Sequence, residues 1–146
     1  EQGYWLPSDA SSDNRAQWIA NSMIRDYIRG IKSKHTLLMA DACFSGSIFK
    51  ERSLRDNDVS IQKIYELPSR KAITSGANKA VPDKSVFVEY LVKRLKQNQD
   101  KYINSMDLYT RIRIPVINNS YNNQTPVYGV IQMTNDEGGD FVFRRK

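Results

Sequence analysis

Leu37-Leu38-Met39-Ala40-Asp41-Ala42-Cys43-Phe44-Ser45-Gly46-Ser47 is an apolar run that stops at an acid, the only cysteine of the chain and a cluster of small residues. Uncharged, mostly large side chains bounded by a polar turn predict a strand covered on both faces, as in a parallel sheet flanked by helices. Such a strand, expected over Thr36 to Asp41, delivers the Cys43 thiol at its carboxyl end, where ligands gather in open α/β sheets. Ser45, Gly46 and Ser47 let the backbone turn sharply and leave room for another chain. A strand buried in this way needs a neighbour on each edge.

Upstream, Tyr4-Trp5-Leu6 predicts a short strand ended by Pro7, and Ser8 to Asn14 a polar loop that Asp9 can cap or brace. Arg15 to Ile31 reads as a helix, because Trp18, Ile19, Met23, Ile24, Tyr27, Ile28 and Ile31 fall on one stripe at the helical repeat. That stripe is expected to face the sheet. Downstream, residues 48–69 change character: Lys50, Glu51, Arg52, Arg55, Asp56, Asn57 and Asp58 mark a charged, mobile linker with one helical turn near Ile61 to Leu67. Lys71 to Thr74 is the next expected strand, followed by a loop over Ser75 to Asp83 that Gly76 and Pro82 break. Ser85 or Asp83 then caps a helix over about Val86 to Gln97. A second helix starts near Ser105 or Met106 and is expected to be interrupted at Pro115. Val127 to Met133 and Phe141 to Arg144 read as strands separated by an Asn135-Asp136-Glu137-Gly138-Gly139 turn. Strands alternating with helices predict one α/β domain over residues 1–146, a three-layer α/β/α sandwich with a mostly parallel sheet.

At 146 residues, with 40% hydrophobic and 26% charged side chains, the chain suits one soluble domain with a real core. No run reaches the roughly 18 apolar residues of a membrane span, and Glu1-Gln2-Gly3 has neither the basic start nor the apolar stretch of a signal peptide. A single cysteine excludes an internal disulfide and fits a reducing compartment, so a cytoplasmic setting is expected. The net charge of +6 is spread over Lys50 to Arg55, Lys93 to Lys101 and Arg144-Arg145-Lys146 without an aromatic platform between the clusters. It reads as solvated surface rather than a nucleic-acid face.

Asp41-Ala42-Cys43-Phe44-Ser45-Gly46 resembles the nucleophile motif of the caspase-like cysteine proteases, closest to the metacaspase and bacterial caspase-like branch. Gly3 to Ala10 resembles the segment shortly after that family's His-Gly motif, Ile73-Thr74-Ser75-Gly76-Ala77-Asn78 the strand and loop beside the substrate, and Glu137 to Phe143 the closing strand of bacterial members. The resemblance covers nearly the whole chain. It implies the caspase/haemoglobinase-like fold and a cysteine endopeptidase acting on protein or peptide substrates. It implies substrate contacts from Asp41, Ser75, Ala77 and Asn78, and cleavage after arginine or lysine, because an acid stands two residues before the cysteine. It also places family maturation sites near Lys50, Arg52 and Arg55. No cofactor or metal is called for, and a calcium requirement is open.

A cysteine protease needs a thiolate, a histidine to take and return the proton, and donors for the oxyanion. Cys43 can supply the first and, through its N–H, part of the third. Read without the resemblance, a lone cysteine is more often a buried structural thiol, and the alternative role of Asp41 is to brace its turn by hydrogen bonds. The one histidine, His35, stands at the opposite end of the strand: eight residues at roughly 3.3 Å each put it about 26 Å from Cys43. A base must sit within about 3 Å of its proton, or one water away. In caspases the histidine lies roughly 50 residues before the cysteine, so the resemblance implies one upstream of Glu1. Three expectations follow: a processed protease whose histidine-bearing N-terminal piece stays associated, a segment of such an enzyme, or a catalytically inactive caspase-like scaffold.

Overall fold

In a computed structural model, residues 3–42, 48–50, 61–76, 84–121 and 124–146 are described, with backbone only at Lys50. Their elements, in chain order, are β1 (Tyr4–Trp5), a 3-10 turn (Arg15–Gln17), β2 (Ile19–Ala20), α1 (Asn21–Gly30), β3 (His35–Ala40), β4 (Phe49–Lys50), α2 (Ile61–Glu66), β5 (Ser69–Thr74), α3 (Val86–Gln97), β6 (Tyr102–Asn104), α4 (Ser105–Asn119), β7 (Val127–Ile131) and β8 (Val142–Arg144). The main sheet runs β3-β5-β7-β4, and two small ribbons pair β1 with β2 and β6 with β8.

The strand read around Leu37 and Leu38 is β3, and it lies parallel to β5 from His35 opposite Ser69 to Ala40 opposite Thr74. The other described pairings of this sheet, β5 with β7 and β7 with β4, are antiparallel. The mostly parallel sheet expected from the sequence is therefore a mixed one. Successive residues of β5 point to opposite faces. Ile73 packs with Phe87 and Leu91 of α3 and Leu108, Ile112 and Val116 of α4, while Ala72 packs with Ile28 of α1 and with Ile48, Phe49 and Ile131. Helices thus cover both faces, and each fully buried large apolar side chain contributes about 1.5–3 kcal/mol.

Several elements depart from the sequence expectation for identifiable reasons. The first helix begins at Asn21 rather than Arg15, because Ile19 and Ala20 are drawn into a ribbon with Trp5 and Tyr4, and the Trp5 indole donates to Asn21 Oδ1 at 2.9 Å. Only part of its stripe is covered: Ile28 is buried and Ile24 packs beside it, but Met23, Tyr27 and Ile31 are exposed, Tyr27 at 63%. Pro115 does not end α4, which continues to Asn119. A proline inside a helix costs about 3 kcal/mol, and the burial of Leu108, Tyr109, Ile112 and Val116 on the same helix outweighs that cost. At the start of the expected linker, Ile48 and Phe49 are buried and β4 pairs with β7, whereas α2 falls where one helical turn was expected. Arg52 and Arg55 lie outside the described residues.

The start of β5 holds charges the sequence left at a strand entrance. Arg70 is buried, and its guanidinium donates to the carbonyls of Ile31, Ser33, Lys34 and Ser69. Lys71 is buried too and pairs with Asp136 at 2.9 Å. The Asn135–Gly139 turn therefore does not close a hairpin. It wraps over β5, with Glu137 N–H donating to the Pro68 carbonyl and Asp140 N–H to that of Ile64. This carries β8 out of the main sheet to pair with β6. Asp140 fixes the exit: its carboxylate accepts from the hydroxyls of Ser105 and Tyr128 and from Met106 N–H in the first turn of α4. Burial first, then the neighbouring Asp140 charge, pushes the Tyr128 phenol above its ordinary range, so it remains a donor.

Candidate active site

The carboxyl ends of β3 and β5 lie side by side, so the segments that follow them meet. Ser75 N–H donates to the Ala40 carbonyl at 3.1 Å, and Ser75 Oγ donates to the Ala42 carbonyl at 3.4 Å. Ser75 is fully buried and Asp41 half-buried. A third segment closes this end of the sheet. Gln124, fully buried, donates from Nε2 to Asp41 Oδ1 at 3.3 Å and accepts at Oε1 from Phe87 N–H in the first turn of α3, also at 3.3 Å. Gly76 has a positive φ of 63°, and a Cβ there would overlap the Thr125 carbonyl, so only glycine lets the two loops meet this closely.

Two of the four expected substrate-contacting residues, Asp41 and Ser75, are therefore brought together from positions far apart in the chain. Cys43, Ala77 and Asn78 lie outside the described residues, as does Asp83. Lys50, named as a maturation site, sits in β4 on the edge of the sheet opposite β3, its backbone paired with Val130. Sequence reasoning missed Gln124. It stands between the second helix and the strand expected from Val127, in the polar stretch Asn118 to Thr125 to which the sequence assigns no role, and its partner Asp41 lies 83 residues away.

His35 is where the sequence placed it, at the start of β3, away from the site. Its Nε2 lies 3.0 Å from the Tyr65 carbonyl and its Nδ1 2.9 Å from Ser69 Oγ. A carbonyl only accepts, so Nε2 carries the proton and Nδ1 accepts from the serine hydroxyl. The ring also rests on Tyr65, with centroids 4.6 Å apart. Burial lowers the His35 pKa, with the Lys34 and Arg70 charges adding to it against the Tyr65 carbonyl and Asp140. A folded-state pKa below the unfolded value of about 6.5 means stability that is complete above that pH and lost as pH falls toward the folded pKa. Thermal melts are expected to show wild type losing stability below about pH 6.5, and His35→Gln losing less across that window. Equal slopes would mean that the ring gives up its neutral-form hydrogen bonds at no cost.

Among the described residues no three His, Cys, Asp or Glu side chains cluster as metal ligands, and no helix is long and apolar enough to cross a membrane. Comparison with protein-family models, curated proteins and solved structures finds no match.

Proposed function

We propose that this chain is the cysteine-bearing part of a caspase-like cysteine endopeptidase that cleaves after arginine or lysine. The observation that carries the reading is the convergence of Asp41-Ala42 with Ser75-Gly76 at the carboxyl end of a parallel strand pair. A site is expected at that end of an α/β sheet, and these are the segments on which the resemblance rests. The fold on this reading is the caspase-like α/β/α sandwich. The Cys43 thiolate attacks the scissile carbonyl, its own N–H helps hold the oxyanion, and collapse expels the amine and leaves a thioester that water hydrolyses. Asp41 supplies the negative charge that meets the guanidinium or ammonium of the substrate. The free thiol suits a reducing compartment such as the cytoplasm.

The proton-transfer histidine would come from a segment outside these residues, and β3 offers it a place. In the β3–β5 register the carbonyls of Lys34 and Ala40 face β5, so by alternation the backbone groups of Leu37 and Met39 face the other edge. Among the described residues no strand pairs there, and β3 carries no lysine or proline to blunt it. Met39 is 41% exposed. A strand added at this edge would lie beside Leu37 to Ala40, the run that leads to Cys43 in the sequence. A catalytically silent scaffold is the second reading, favoured by the commitment of both His35 nitrogens at the far end of β3.

The test is a panel of peptides with arginine, lysine, aspartate or norleucine before the bond to be cut, offered to the complete gene product. Turnover of the arginine and lysine members and not of the aspartate member is expected. No cleavage of any member, with the protein folded and its histidine-bearing segment present, would leave the scaffold reading in its place.

A further inference from the structure

Gln124 joins two groups of opposite hydrogen-bonding character. Phe87 N–H can only donate and the Asp41 carboxylate can only accept. A side chain bridging them must accept at one end and donate at the other, so the amide has one allowed orientation, with Oε1 on the helix and Nε2 on the acid. Glutamate at 124 would set carboxylate against carboxylate, and an apolar residue would satisfy neither partner. Gln124 is fully buried, and its backbone N–H donates to Ser120 Oγ at 2.8 Å, which holds the main chain from which the side chain reaches. Asp41 Oδ1 is thereby tied, while Oδ2 has no hydrogen-bond partner among the described residues.

From this we infer that Gln124 is the positioning residue of the specificity pocket, fixing the Asp41 carboxylate so that its second oxygen meets the basic group of the substrate; the inference rests on the protease reading above. The Phe87 end of the bridge adds a second constraint. It ties Asp41 to the first turn of α3, so the end of β3 and the start of that helix are held at one spacing. A carboxylate left to choose among rotamers must be ordered when substrate binds, whereas one already held binds without that cost.

The experiment compares Gln124→Met with wild type on arginyl and norleucyl peptides of otherwise identical sequence, with thermal melts alongside. The expected result is about a 10-fold rise in KM for the arginyl peptide, the scale of one charge-assisted hydrogen bond. The kcat and the norleucyl kcat/KM should change by less than about 2-fold, the pattern of lost uniform binding. A merely structural role would lower the melting temperature and leave the arginyl preference unchanged, and that outcome overturns the inference while leaving the protease reading intact. Wild type that cleaves neither peptide overturns the protease reading instead. The Gln124–Asp41 bond is then read without activity, or if Gln124→Met fails to fold, from the side-chain NH2 resonances of Gln124. They are expected to move in Asp41→Ala, and unmoved resonances overturn the bond itself.

Discussion

Asp136→Ala is expected to destabilise the fold by about 3–5 kcal/mol, the range for removing one partner of a buried ion pair. Lys71 is 3% exposed on the central strand, and its ammonium lies 2.9 and 3.0 Å from the two Asp136 oxygens. The same carboxylate accepts from Arg70 N–H at 2.8 Å and Gly138 N–H at 3.0 Å. Truncation therefore strands a cation and two amides in a region the Asn135–Gly139 turn has closed to water. Against a total stability of about 5–15 kcal/mol, that is a large share, and urea titrations should read it directly. Lys71→Met in the same background removes the stranded cation and should recover part of the loss, but not all, because the two amides stay unsatisfied. A cost below about 1 kcal/mol, typical of exposed pairs, would show that water reaches Lys71 in solution.

The strength of that pair also explains what the sequence could and could not disclose. β7, α3 and the start of α4 are legible because their apolar periodicity is local and agrees with their burial. β3 is legible as an apolar run, but among the described residues it pairs with β5 alone and Met39 is 41% exposed, so the neighbour expected on its other edge is not found there. The burial of Ser69-Arg70-Lys71 is not legible: Lys71 opens the expected strand, but the run is polar by composition, and it is buried because Asp136, 65 residues away from Lys71, and the carbonyls of Ile31 and Ser33 supply the partners. β6 is three residues long, too short for alternation to register. The stripe from Trp18 to Ile31 has true helical spacing, but pairing of Ile19 and Ala20 with β1 overrides it at one end. At the candidate site, Asp41 and Ser75 are singled out through the resemblance, the strand pattern showing only that they follow β3 and β5, whereas His35 is legible as the opening of its strand. Gln124 gave no local signal, since a glutamine in a polar loop is ordinarily solvated.

Cys43→Ala and Asp41→Asn should separate chemistry from recognition in the complete protein. Alanine at 43 removes the thiol that the proposed mechanism needs for the thioester, and loss of a nucleophile leaves only positioning and oxyanion stabilisation. Arginyl turnover is expected to fall by at least about 10⁴-fold. Asparagine at 41 keeps an oxygen for the Gln124 amide and leaves the thiol untouched, so the pocket stays assembled while its charge is gone. The arginyl kcat/KM should then drop by roughly 10–100-fold, the scale of a charge-assisted interaction with a basic side chain, and the norleucyl peptide should be nearly unaffected. The two variants fail differently if the reading is wrong. Unchanged turnover in Cys43→Ala would require a nucleophile other than the single thiol, and the caspase-like mechanism would fall with it. Unchanged preference in Asp41→Asn would keep the mechanism and return Asp41 to bracing the end of β3, its carboxylate serving Gln124 alone.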